Sequence, residues 1–251
     1  MDKKYQTVLI VAIAITVFAA VFVGFGLPSL VGIPKVTLPD ISQESIEETD
    51  FLPVTVTPET VQEVIATLSR PESYYRESQV KLSWSSGNQS ASSVYMVQIW
   101  ADGDYVKTKL RPSSGSVEHR LVGEGKLYIW YEGDRRWREM DAPDGSADLA
   151  QRLPTYEDVL RLDPADITDA SYQTKDGTDC IYVQVHQKEI NTLDCYWIET
   201  ATGLLYGAET WEGEALVYEM TQTGLQTPLP QGVDFALPDG RILHSSAAVG
   251  E

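Results

Sequence analysis

From Gln79 to Thr223 the chain alternates short β-type runs with hairpin-length turns, and no long crossover helix separates the strands. The runs are Gln79–Ser85, Val94–Trp100, Tyr105–Arg111, Ser116–Val122, Lys126–Tyr131 and Arg136–Met140. After an irregular stretch come Thr168–Thr174, Cys180–His186, Leu193–Glu199, Leu204–Trp211 and Ala215–Thr223. Asp102-Gly103, Gly123-Glu124-Gly125, Gly133-Asp134, Lys175-Asp176-Gly177, Thr202-Gly203 and Glu212-Gly213 supply turn chemistry between them. Parallel strands need connections of about a dozen residues or more. The spacing therefore predicts a mainly β (α+β) domain. It has about eleven antiparallel strands, strongly curved into an open half-barrel.

Two helices accompany the strands. Thr57 is placed to cap the first, with Pro58 at its first position and Glu59 in its first turn. Val61, Val64, Ile65 and Leu68 then form one apolar stripe at i, i+3, i+4 and i+7, which predicts a helix over 58–69. Thr155 with Asp158 reads as a capping box for a second helix near Tyr156–Leu162. Two helices are too few for a separate layer, so they are expected to cover the concave face of the sheet.

Several strands are apolar on both faces. Val94, Met96 and Trp100 oppose Tyr95, Val97 and Ile99; Tyr128 and Trp130 oppose Leu127, Ile129 and Tyr131; Leu216, Tyr218 and Met220 oppose Ala215 and Val217. An antiparallel sheet with one wet face alternates cleanly. Something apolar must therefore cover the second face: the helices and loops, or a hydrophobic ligand. The residues singled out as lining a cavity are Leu68, Trp84, Tyr95, Met96, Trp100, Tyr128, Trp130, Trp197, Tyr218 and Met220.

The N-terminus sets a second constraint. Val8–Leu27 is twenty residues long and its only polar side chain is Thr16. At about 1.5 Å per residue such a helix matches a hydrocarbon core of about 30 Å. Lys3 and Lys4 precede it and favour a cytoplasmic N-terminus. A cleaved signal peptide is the rival, but its apolar region is usually only about 7–15 residues. The expected layout is a cytoplasmic tail (1–7) and a transmembrane anchor (8–27). A Pro-containing acidic linker (28–56), a β domain (57–240) and a disordered tail (241–251) follow. The main domain is expected outside the cell membrane. A loose linker of that length spans about 30 Å and keeps the domain near the bilayer.

Charge narrows the partners. The chain carries 37 Asp and Glu against 19 Lys and Arg, a net charge of −18. Such a surface repels nucleic acid. Basic residues gather once, at Arg135, Arg136 and Arg138 around Trp137, the candidate for a polar contact. Cys180 and Cys195 fall in one expected hairpin outside the membrane. A disulfide there would contribute about 3 kcal/mol; the alternative is two thiols that never meet.

Catalytic patterns are scarce. No nucleophile elbow, phosphate loop or His-Glu-x-x-His motif occurs, and the two cysteines lack zinc spacing, so neither enzyme activity, metal nor cofactor is expected. Glu132 with Asp134 and Glu139 with Asp141 are the carboxylate pairs that could do acid–base work, but turn and edge positions explain them better. Asn88-Gln89-Ser90 matches a glycosylation acceptor.

The succession of elements resembles the outer-membrane lipoprotein carrier superfamily, which includes the LolA and LolB carriers and the RseB-type regulators. The stretches that carry the likeness are Tyr196-Trp197-Ile198-Glu199 with Thr202-Gly203-Leu204-Leu205, then Leu216–Met220, then Val233–Pro238 in the closing segment. The resemblance spans about Thr57 to Gly240 and implies an open half-barrel whose concave face takes acyl chains under a helical lid. This chain departs from the soluble carriers in having an apparent anchor, and a tethered domain cannot ferry cargo far. The expected function is local binding of a lipid, lipoprotein or other hydrophobic ligand. The alternative is an envelope-signalling or protein-interaction module without a ligand.

Overall fold

The structure, a computed structural model, describes residues 55–86, 89–142 and 153–246. The expected anchor, nearly all of the linker and Asn88 lie outside the described residues. Among the described residues no helix is long and apolar enough to cross a membrane.

Eleven strands form one antiparallel, curved, open sheet. Strands β1 (Ser73–Ser86), β2 (Gln89–Asp102), β3 (Tyr105–Pro112), β4 (Glu118–Gly123), β5 (Lys126–Tyr131) and β6 (Arg138–Asp141) make the first meander. A second contains β7 (Ile167–Lys175), β8 (Thr178–Gln187), β9 (Thr192–Glu199), β10 (Leu205–Glu212) and β11 (Ala215–Gln226). Pairing of β1 with β11 joins the two, giving the order β6-β5-β4-β3-β2-β1-β11-β10-β9-β8-β7 and leaving β6 and β7 as the edges. The sequence pattern locates all eleven strands. It starts β1 and β2 late, because Ser73–Ser78 and Gln89–Ser93 are mostly polar and lack an apolar alternation.

Two short strands lie outside the main sheet, β12 (Asp234–Ala236) and β13 (Ile242–Ser245). The second falls in the stretch expected to be disordered from residue 241. A strand of four residues carries too little alternation to be read, and its order comes from packing: Leu243 lies against the cluster around Phe235.

Helix α1 (Val61–Thr67) begins three residues later than expected, after a turn at 58–60. Thr60, not Thr57, is its N-cap, and Thr60 spends its hydroxyl on the turn: Oγ1 accepts from the Thr57 amide at 3.1 Å and donates to the Thr55 carbonyl at 2.8 Å. The stripe holds, with Val61 and Ile65 fully buried and Val64 and Leu68 packed against the same core. Helix α2 (Tyr156–Leu160) has the expected capping box: Thr155 Oγ1 accepts from the Glu157 amide at 3.2 Å, and Asp158 Oδ2 accepts from the Thr155 amide at 2.8 Å. Gln62 Nε2 ties the helices together by donating to the carbonyls of Val159 and Leu162, each at 3.0 Å.

Register separates the two faces of the sheet. Val80, Val97, Val183 and Met220 share the face that α1 and α2 pack on, in the larger core. On the opposite face of the first meander, Leu121, Tyr128 and Trp130 pack against Leu229, Phe235 and Leu237. The second apolar face expected from the strands thus exists, and over β1–β5 the β12–β13 hairpin covers it. On the second meander the same face holds a separate cluster of Cys180, Tyr182, Cys195 and Trp197.

The two cysteines are free, which corrects the expected disulfide. In the β8–β9 register Cys180 faces Glu199 and Cys195 faces Gln184, so the thiols are four residues out of step. At about 3.4 Å per residue that is about 14 Å along the strand, against a usual Cα separation of roughly 4.4–6.8 Å in a disulfide. Both cysteines lie in one hairpin, but the turn fixes a register that keeps them apart.

Candidate functional site

Strand pairing decides which of the ten cavity candidates meet. Trp84, Tyr95, Tyr218 and Met220 lie on the helix-bearing face, and Leu68 at the end of α1 packs into the same core. Met96, Trp100, Tyr128, Trp130 and Trp197 lie on the opposite face. Three of these are spoken for by the chain itself. Trp100 tilts against Tyr75 with ring centres 5.2 Å apart, Trp130 stacks on His119 at 5.3 Å, and Trp197 lies 3.6 Å beneath Lys175 Nζ. The ten residues therefore form two half-sets, and only the first faces the helices.

The helix-bearing face is not uniformly closed. Seven large apolar side chains are exposed in the described chain. Five of them, Leu82, Trp84, Tyr131, Met140 and Tyr172, belong to this one face by register. Leu82 and Trp84 share β1, Tyr131 and Met140 line one cleft at the β6 edge, and Tyr172 lies on the far edge strand β7. Polar atoms are buried among the apolar ones. Tyr218 Oη and Gln222 Oε1 are both buried without a hydrogen-bond partner. Each such atom costs about 1–3 kcal/mol. Burial also pushes the Tyr218 hydroxyl up from its ordinary value, with Tyr95 adding to the shift, so it stays a neutral donor.

At the β4–β6 edge a cleft of about 460 Å³ opens, lined by Glu118, Arg120, Ile129, Trp130, Tyr131, Asp134, Arg136, Trp137, Arg138 and Met140. Part of the basic cluster singled out in the sequence belongs here. Arg136 and Arg138 are exposed at the cleft, whereas Trp137 packs towards the Phe235 cluster with the guanidinium of Arg241 5.7 Å from its ring centre. Arg135 is exposed and does not line the cleft. No local pattern signals that Arg120 joins them, because it lies on another strand. Its Nε donates to Glu118 Oε1 at 2.8 Å.

One carboxylate of each pair considered for acid–base chemistry is drawn into an ion pair. Glu132 bonds Lys109 at 3.1 Å and Asp141 bonds Lys126 at 2.6 Å, and each lysine holds its carboxylate below the ordinary range. Among the described residues no group of three His, Cys, Asp or Glu side chains is arranged to hold a metal ion.

No family model matches the chain, and no curated protein does. By structure the chain is similar to LprF from Mycobacterium bovis (13% identity, 74% of this chain and 100% of that one, TM-score 0.31). It is similar to a LolA superfamily protein from Nitrosomonas europaea (12%, 68% and 93%, 0.28) and to a DUF1329 family protein from Desulfovibrio piger (13%, 67% and 90%, 0.26).

Proposed function

We propose that the chain is a membrane-tethered, extracytoplasmic domain that binds a hydrophobic ligand, a lipid or the acyl part of a lipoprotein, on the helix-bearing face of its sheet. The observation that carries this is the exposure of large apolar side chains on that face, at Leu82, Trp84, Tyr131, Met140 and Tyr172. Burying such side chains contributes about 25 cal/mol for each Å² removed from water. The buried unpaired Tyr218 hydroxyl supports the same reading, since an ester or acid group of a ligand would give it a partner. Tethering rests on the uncharged stretch Val8–Leu27 and on Lys3 and Lys4 before it.

The test uses the full chain reconstituted in phosphatidylcholine nanodiscs and loaded with dodecanol. Native mass spectrometry of the released chain should find the alcohol retained, and the double variant Tyr131→Asp, Met140→Asp should retain several-fold less. A chain that carries no alcohol ends the proposal. Topology is read separately: protease added outside intact cells should degrade the β domain, and a protected domain removes the tether from the argument.

A further inference from the structure

The β4–β6 cleft carries chemistry that capture of a purely apolar molecule does not need. On the helix-bearing face, Arg120, Ile129 and Arg138 form a row across three adjacent strands, since Arg120 pairs with Ile129 and Ile129 with Arg138. Strands lie about 4.8 Å apart, so two guanidinium-bearing residues flank one apolar residue at about 10 Å. Arg136 extends the lining, and Tyr131 and Met140 continue the apolar floor on the same face.

The charge of this cleft runs against that of the molecule. Arg120, Arg136 and Arg138 face only Glu118 and Asp134 in the lining, a local excess of positive charge on a chain of net charge −18. Elsewhere some cations are engaged: Lys109 with Glu132, Lys126 with Asp141, and Lys175 with Glu209 at 2.8 Å. Arg136 and Arg138 make no ion pair among the described residues, although carboxylates outnumber basic groups almost two to one. Glu118 fixes one edge of Arg120, and the guanidinium has further N–H groups. Guanidinium forks match the two oxygens of a carboxylate or phosphate, and a wall of low polarity strengthens that match. The volume of about 460 Å³ suits a head group with its first methylenes.

We infer that the cleft seats the anionic oxygen head group of an amphiphile. Arg136 and Arg138 bind the head beside the fixed Arg120, and Ile129, Tyr131 and Met140 lead its alkyl chain onto the helix-bearing face. The inference rests on apolar capture by that face and adds the head-group class to it.

The experiment compares three probes on the full chain in phosphatidylcholine nanodiscs: dodecyl phosphate, dodecanol and inorganic phosphate. Native mass spectrometry of the released chain reads what is retained. The expected result is at least roughly tenfold preference for dodecyl phosphate over dodecanol, from charge-assisted bonds to the head. In the exposed double variant Arg136→Gln, Arg138→Gln that preference should vanish while dodecanol is held as before, which also shows that the variant is folded. Equal retention of phosphate and alcohol by the unsubstituted chain overturns the head-group site and leaves apolar capture standing. A preference unchanged in the variant overturns the assignment to this cleft. Inorganic phosphate that displaces dodecyl phosphate at equal concentration makes the cleft a free-anion site and overturns the amphiphile. Retention of neither amphiphile ends both readings.

Discussion

The guanidinium of Arg70 lies 3.6 Å from the ring centre of Tyr156, and that contact joins the two helices across 86 residues of sequence. The same guanidinium caps the end of α1, donating to the Ile65 carbonyl at 2.7 Å and the Leu68 carbonyl at 3.1 Å. Its Nε donates to the Gly203 carbonyl at 3.1 Å, in the turn between β9 and β10. Gly203 has φ +64°, and a Cβ there would lie 2.9 Å from Arg70 Cγ and 3.2 Å from the Ser69 carbonyl, so the turn admits this close passage only as glycine. Arg70→Lys keeps the charge but loses the flat face and the fork. It should cost about 1–3 kcal/mol in denaturant titration. A change under about 0.5 kcal/mol, the usual size of a surface substitution, would show the clamp to be idle.

Phe235 fastens the β12–β13 hairpin to the sheet. Its side chain is 0% exposed, with Tyr105 6.1 Å and His244 5.3 Å from it, ring centre to ring centre. His244 Nε2 also meets Asp102 Oδ2 at 2.6 Å. Phe235→Ala should destabilise the domain by about 3–5 kcal/mol and expose the Tyr128–Trp130 face. Enhanced binding of a hydrophobic dye before global unfolding is the signature; wild-type stability would mean the hairpin covers nothing of consequence.

Acid sensitivity should trace to His119. Burial holds its imidazole below the ordinary 6.5, and Lys109 pushes it the same way. The unfolded chain then takes up the proton first as pH falls. Stability is full above pH 6.5 and is lost on the way down towards the folded pKa. His119→Phe keeps a flat ring for Trp130 to stack on and cannot titrate. Its stability should fall less than the wild type's between pH 7 and pH 5, by thermal unfolding at each pH. Parallel curves would remove His119 from the account.

Both thiols should be silent until the chain opens. Burial pushes the Cys180 thiol up to about 11 and raises that of Cys195, and Cys195 Sγ also meets the Tyr182 hydroxyl at 3.3 Å. A thiol reagent at pH 7.5 should count close to zero groups in the folded protein and two after denaturation, and reductant should leave Tm unchanged. A fall in Tm with reductant would mean that the two sulfurs are bonded after all.

Strand number, strand direction and the apolar stripe of α1 were legible in the sequence because each depends on neighbours a few residues apart. Alternation has period two, helical stripes have period 3.6, and turn residues sit at the joins. Even the capping box at Thr155 is a contact over three residues. What closed the second apolar face was not legible, since the covering residues, Leu229, Phe235 and Leu237, come from beyond the last long strand. Nor was the partition of the ten cavity candidates, which needed the register of whole strands to send Tyr95 one way and Trp100 the other.

The amino-acid sequence by itself determined a turn-linked antiparallel meander with two small helices, and an acidic character set by composition alone. Only the tertiary structure decided that Cys180 and Cys195 stand four residues out of step, and that Arg120 joins Arg136 and Arg138 in one cleft. The reason is physical. Local pattern fixes which way a side chain points along its own strand, but pairing between strands fixes which distant side chain stands beside it, and that is settled by how the whole sheet buries its apolar area at once.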